Sequence, residues 1–166
     1  LARQRGIDSL YAVGEFSAAS ADAFGTGARH FASQAVLIDA LRAELKPDEP
    51  LIAITALPLY HIFALTANSL TMIKLGAHNI LIPNPRDFAA FVKEQAQYRF
   101  SFFAGVNTLF NALLHTRGFD NLDFSRLRVS LGGGMAVQQA VAERWKAVTG
   151  NVLTQAWGLT ETSPAA

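Results

Sequence analysis

The stretch Leu127-Arg128-Val129-Ser130-Leu131-Gly132-Gly133-Gly134-Met135, with the pattern that follows it to Gly150, decides the fold. Leu127–Leu131 is a short apolar run of strand length, and three glycines end it. Over Met135–Thr149 the spacing predicts a helix, because Val137, Val141, Trp145 and Val148 recur on one stripe and Gly150 closes it. Working outward, the same alternation repeats. Downstream, Asn151–Ala156 reads as a strand ending in a turn at Trp157-Gly158. Upstream, Phe100–Ala104 reads as a strand leading to a helix that Asn107 caps and that buries Leu109, Phe110, Leu113 and Leu114. Earlier still, Leu51–Leu57 reads as a β-branched strand stopped by Pro58, Ile62–Leu75 as a helix ended by Gly76, and His78–Ile82 as a strand. Asn84-Pro85-Arg86-Asp87 marks a helix start, with Asn84 as cap and Phe88, Phe91, Val92 and Ala96 on one face. Strand and helix in alternation predict an α/β fold: a mainly parallel sheet flanked by helices. Ligands of such sheets bind beyond the carboxyl ends of the strands.

The remainder of the chain is less orderly. Phe31–Leu45 reads as a helix through Phe31, Ala35, Ile38, Leu41 and Leu45, whereas Ser9–Arg29 is rich in Ala, Ser and Gly without a period. Residues 1–30 are therefore expected to be divergent or poorly ordered. At 166 residues the chain suits one domain on a scale of about 100–200 residues per domain. Hydrophobic residues make up 51% and charged residues 16%, against an average charged share of about 25%, which excludes an intrinsically disordered chain. A net charge of +1 offers no broad basic face for nucleic acid. Without cysteine there is no disulfide, thiolate metal site or cysteine nucleophile. The scarcity of charge also suits a slice of a larger protein, whose apolar faces dock on neighbouring parts. Leu51–Ile73 carries no charged side chain and has the length of a membrane span, about 20 residues. Pro58, His61 and Asn68 interrupt it, and a strand feeding a buried helix accounts for the run better.

Two turns follow predicted strands and so share one edge of the sheet. Gly132-Gly133-Gly134 permits unusual dihedrals and lets backbone N–H groups approach a ring or phosphate, although glycines also serve as ordinary loop residues. Trp157-Gly158-Leu159-Thr160-Glu161-Thr162 offers a flat aromatic, two hydroxyls and a carboxylate suited to Mg²⁺; Thr160 or Thr162 could equally cap a helix there.

Thr154-Gln155-Ala156-Trp157-Gly158-Leu159-Thr160-Glu161-Thr162 resembles the signature of adenylate-forming enzymes, the acyl-CoA synthetase and luciferase superfamily. Ala56-Leu57-Pro58-Leu59-Tyr60-His61-Ile62-Phe63 resembles another motif of that superfamily, in the usual order. Asn84-Pro85-Arg86-Asp87, Gly105–Leu114 and Gly132-Gly133-Gly134-Met135 are similar to bacterial long-chain fatty-acid–CoA ligases in particular. The resemblance implies that residues 31–166 are part of the AMP-binding (adenylation) domain, within the large N-terminal domain of such an enzyme. It implies the chemistry too: a fatty acid is joined to AMP from ATP, and the acyl group then passes to coenzyme A. By the same resemblance Glu161 holds Mg²⁺ and Thr160 lies near the phosphates. Trp157 and Gly158 meet the nucleotide, and Gly133, Gly134 and Met135 line the adenine and acyl pockets. His61 stands at the carboxylate site, and Gly105 and Val106 form the wall of an acyl tunnel.

The chain departs from that family in two ways. Where the family carries a Ser/Thr/Gly-rich phosphate loop with a lysine, this sequence has Phe24-Gly25-Thr26-Gly27-Ala28-Arg29, and its first lysine is Lys46. The family's ribose-binding acid, hinge and lysine-bearing C-terminal domain have no counterpart up to Ala166. The expectation is a fragment of a long-chain fatty-acid–CoA ligase that forms no acyl-CoA by itself and lacks the remainder of the enzyme. A ligase for aryl or amino acids and a non-catalytic binding remnant are the alternatives. ATP and coenzyme A imply the cytoplasm, and a fatty-acid substrate implies peripheral contact with a membrane.

Overall fold

The computed structural model describes residues 10–14, 17–33, 35–37, 39–40 and 50–162. The chain divides into two compact units, Leu1–Glu49 and Pro50–Ala166.

In the first unit, β1 (Leu10–Val13) and β2 (Ala28–Phe31) pair in parallel through α1 (Ala18–Phe24). Regular structure thus forms where the sequence shows no period. Gly25 ends α1 with φ 74°, a conformation glycine adopts without strain, and its N–H reaches the Ala21 carbonyl. Phe31 ends β2 rather than opening a helix. Residues 35–37 and 39–40 are helical, and residues 34, 38 and 41–45 of the expected helix lie outside the described residues.

The second unit is a five-stranded, all-parallel sheet. Its strands are β3 (Ile52–Thr55), β4 (His78–Leu81), β5 (Phe102–Gly105), β6 (Val129–Gly132) and β7 (Leu153–Gln155), in spatial order β4-β3-β5-β6-β7. The register runs Ile54↔Ile80, Ile54↔Phe103, Phe103↔Ser130 and Ser130↔Leu153, so these residues face one side together. The crossovers are α2 (a π-helical Phe63–Leu70 continuing as α-helical Thr71–Lys74), α3 (Phe88–Gln95), α4 (Asn107–Leu114) and α5 (Gln139–Thr149). Only the β3–β4 connection runs toward the β4 edge. With right-handed crossovers, α2 therefore covers one face and α3, α4 and α5 cover the other. The cores agree. Ile54, Phe91, Phe103, Phe110 and Trp145 cluster on the three-helix face, and Ala53, Phe63, Met72, Phe102 and Ala104 on the α2 face. Reversal of the strand order between β3 and β5 creates a switch point, where the carboxyl ends part and leave a crevice.

The charge-free run is a strand, a loop and a helix whose last residue, Lys74, lies just beyond it. Among the described residues, no helix is long and apolar enough to cross a membrane.

Three predicted boundaries shift, two because a side chain found another partner and one because the backbone turns. Asp87, not Asn84, caps α3: its Oδ1 accepts the Ala90 N–H at 3.0 Å, while Asn84 Oδ1 accepts from Arg86 inside the preceding turn. Asn107 is the first residue of α4 rather than its cap, and its Oδ1 accepts the Gln138 N–H at 2.9 Å. The last long helix starts at Gln139, not Met135, because Gly134 turns with φ 74° and Gln138 stays extended.

Candidate functional site

Three strand exits meet at the carboxyl edge of the sheet around a cleft of about 240 Å³. His61, Ile62 and Phe63 line it from the β3 exit, Gly133 and Gly134 from the β6 exit, and Ala156–Glu161 from the β7 exit.

After β3, Pro58 stops the strand and its carbonyl accepts the His61 N–H at 2.9 Å. The imidazole Nδ1 accepts the Phe63 N–H at 3.2 Å, which leaves Nε2 as the donor of the neutral ring. Phe63 is buried, and its ring lies flush against the backbone of the next exit. A Cβ at Gly133 would stand 2.7 Å from Phe63 Cζ, and one at Gly132 would stand 2.5 Å from Val137 Cγ2. Glycine is required at both positions for close approach, and at Gly134 for its positive φ.

Hydrogen bonds tie the exits together. Gly133 N–H donates to the Gly105 carbonyl at 3.1 Å, and Ala156 N–H to the Gly132 carbonyl at 2.8 Å. Val137 N–H donates to Gln155 Oε1 at 3.2 Å, next to the Gln138–Asn107 bond. Beyond β7 the chain is open. Trp157 is 68% exposed, Leu159 is also exposed, and Thr160 and Glu161 are exposed in a single 3₁₀ turn.

Seven of the residues singled out from the sequence line this cleft: His61, Gly133, Gly134, Trp157, Gly158, Thr160 and Glu161. Met135 is exposed just beyond the glycines. Val106 borders the glycine loop, its Cγ1 being 3.5 Å from where a Gly134 Cβ would stand. Gly105 is buried beneath: a Cβ there would be 3.1 Å from the Phe110 ring and 3.3 Å from Leu109 Cδ2. Sequence reasoning overlooked Ile62, Phe63, Ala156 and Leu159 as lining, and Asn107 and Gln155 as cross-ties. Phe63 stands within the quoted motif, but its contact with Gly133 joins positions seventy residues apart.

Among the described residues, no three His, Asp or Glu side chains gather to hold a metal. Glu161 is the carboxylate lining the cleft. Asp123 lies elsewhere, in a hollow of about 230 Å³ lined by residues 96–99 and 121–123. Hydrogen bonds from Ser125, with a smaller contribution from Arg99, hold its carboxyl below the ordinary range.

The sequence model described as "AMP-binding enzyme" matches residues 27–166. The chain is 58% identical over 120 residues to a long-chain-fatty-acid–CoA ligase of Yersinia pestis, covering 72% of this chain and 21% of that protein. It is 57% identical over 112 residues to the ligase of the same name from Haemophilus influenzae, covering 68% and 20%. The chain thus spans about a fifth of the length of the curated relatives it matches. Among solved structures, apo MatB from Rhodopseudomonas palustris superposes with a TM-score of 0.61 at 24% identity, over 76% of this chain and 24% of that one. The N-terminal domain of FACL13 from Mycobacterium tuberculosis gives 0.63 at 20%, over 76% and 32%. These likenesses show a shared fold.

Proposed function

We infer the function from one premise: this chain belongs to the AMP-binding enzyme family. Its cleft is the meeting place of an adenosine phosphate and a carboxylic acid, within a protein that ligates long-chain fatty acids to coenzyme A. The observation that carries this reading is the convergence of His61, the glycine loop and Trp157–Glu161, from three separate strand exits, on one cleft. The identity to the two fatty-acid ligases supports a fatty acid over an aryl or amino acid.

In this reading the fatty-acid carboxylate attacks the α-phosphorus of ATP. The bond to pyrophosphate breaks and acyl-AMP forms; the thiol of coenzyme A then takes the acyl group and AMP leaves. Trp157 offers an indole face on which adenine stacks. The flat, glycine-only surface of Gly133 and Gly134, with Met135 at its end, admits the ring and the start of the acyl chain. His61, its ring held by Phe63 N–H, donates from Nε2 to the carboxylate. Thr160 hydrogen-bonds a phosphate oxygen, and Gly105 and Val106 stand on the acyl side. A lone exposed carboxylate fits Mg²⁺, which favours few carboxylates, retained waters and phosphate oxygens. Held by Glu161, the ion would supply charge neutralisation on departing pyrophosphate. ATP and coenzyme A imply work in the cytoplasm. Exposed Leu159 in the cleft, with exposed Tyr60 and Met135 next in sequence to cleft-lining residues, suits an acid that partitions into a membrane, and supports peripheral contact there.

Titration calorimetry of this chain with ATP·Mg²⁺ and with a non-hydrolysable acyl-AMP mimic tests the reading. Heat from both is expected. Trp157→Ala should weaken both about tenfold, as loss of base stacking does, and Glu161→Ala should weaken ATP·Mg²⁺ alone. Absence of heat from either ligand would overturn the proposal.

A further inference from the structure

The N–H groups of Val137 and Gln138 stand before the first turn of α5, where no carbonyl of the helix can reach them. Val137 is buried, so its donor needs an acceptor from elsewhere in the fold, and the donor of the exposed Gln138 finds one there as well. The acceptors are two carboxamides from two different strand exits. Asn107 Oδ1, two residues past the end of β5, takes Gln138 N–H at 2.9 Å; Gln155 Oε1, the last residue of β7, takes Val137 N–H at 3.2 Å. At the other end of the loop, Gly133 N–H is held by the Gly105 carbonyl. The loop between has a left-handed glycine, Gly134, and two exposed residues, Met135 and Ala136.

We propose that Asn107 and Gln155 are positioning residues: their carboxamides clamp the Gly133–Gln138 loop, fix where the Gly133–Met135 backbone stands in the cleft, and so set nucleotide affinity. The nucleotide half of this statement rests on the function proposed above. Gln155 precedes Trp157 by two residues and Asn107 follows Gly105 by two. The clamp therefore couples the aromatic side of the cleft to the β5 side through one loop. Neither carboxamide is needed to hold α5 in place. Trp145 Nε1–H donates to buried Ser130 Oγ at 2.9 Å, and Arg144 reaches the Leu114 carbonyl at 3.2 Å. Val141 and Trp145 lie in the core. Loss of the clamp should loosen the loop and spare the helix.

Amide hydrogen exchange of the chain, read residue by residue, separates the two roles. In Asn107→Leu and Gln155→Met, which keep volume and remove the acceptor, exchange across residues 133–138 should rise about three- to tenfold, the effect of losing one hydrogen bond. Residues 141–149 should be unchanged. Asn107→Asp and Gln155→Glu restore an acceptor oxygen and should restore protection. Calorimetric titration with AMP should show about three- to tenfold weaker binding for the Leu and Met variants, with recovery in the Asp and Glu variants. Unchanged exchange across 133–138, or equal loosening along all of α5, overturns the clamp. Equal AMP affinity in every variant, with the unsubstituted chain binding, overturns its link to affinity. If the unsubstituted chain takes up no AMP, the proposed function fails, and the clamp is decided by the exchange alone.

Discussion

Across one face of the sheet, Phe91, Phe103, Phe110, Phe119 and Trp145 interlock beneath α3, α4 and α5, with ring centroids 4.8 to 6.0 Å apart. Across the other, α2 lays Phe63 and Met72 on Ala53, Phe102 and Ala104, and leaves its own Leu65, Leu70 and Ile73 exposed, along with Leu81 and Val129 of the sheet. Large rings meeting edge to face bury much area and add specific attraction, so the three-helix face is where stability concentrates. The α2 face is thin, and Phe63, the ring that α2 itself buries there, both packs on Gly133 and lines the cleft. Perturbing the first face should cost folding, whereas perturbing the second should cost binding more than folding.

Substitutions on each face can break that contrast. The largest effect is expected from Trp145→Ala, which empties the middle of the aromatic net and orphans the Ser130 hydroxyl. It should cost about 3–5 kcal/mol in urea unfolding. A loss near that of an ordinary surface change would mean that the rings do not share one core. Gly133→Ala should be intermediate, at about 1–3 kcal/mol, because the Phe63 ring must yield to the new methyl group. Its AMP affinity should fall further than its stability, since the displaced ring lines the cleft; the reverse order would dissolve the distinction between the faces. Ile73→Ser should be smallest. The side chain is 62% exposed on the outer side of α2, and the change should stay within about 0.5 kcal/mol by thermal unfolding.

All five strands of the second unit were legible because parallel strands buried on both faces read as short apolar runs punctuated by Gly and Pro. Part of the cleft lining was legible for a related reason: two turns that end those runs offer Gly133, Gly134, Trp157, Gly158, Thr160 and Glu161, whereas His61 is legible only through the family resemblance of its motif. The misplaced features share a cause. Asn84, Asp87 and Asn107 are all capable of capping a helix, and the choice among them depends on which N–H the folded chain brings within reach. Met135–Gln138 continues the helical stripe of α5, yet its backbone donors are claimed by Asn107 and Gln155 from other strands. In the first unit, β2 carries Arg29 and His30 in mid-strand, so it does not read as an apolar run, and the seven-residue α1 is too short for a helical period to emerge.

By itself, the sequence determined the alternation of strand and helix, the end of the sheet that carries the turns, and the chemical groups offered there, since period, punctuation and side-chain type are local properties. Tertiary structure alone decided the reversal of strand order between β3 and β5, the seating of Phe63 on Gly133, and the acceptors of the Val137 and Gln138 amides. Each of those is a contact between distant segments, selected by close packing and by the need of every buried N–H for a partner, and no window of sequence contains both halves of such a contact.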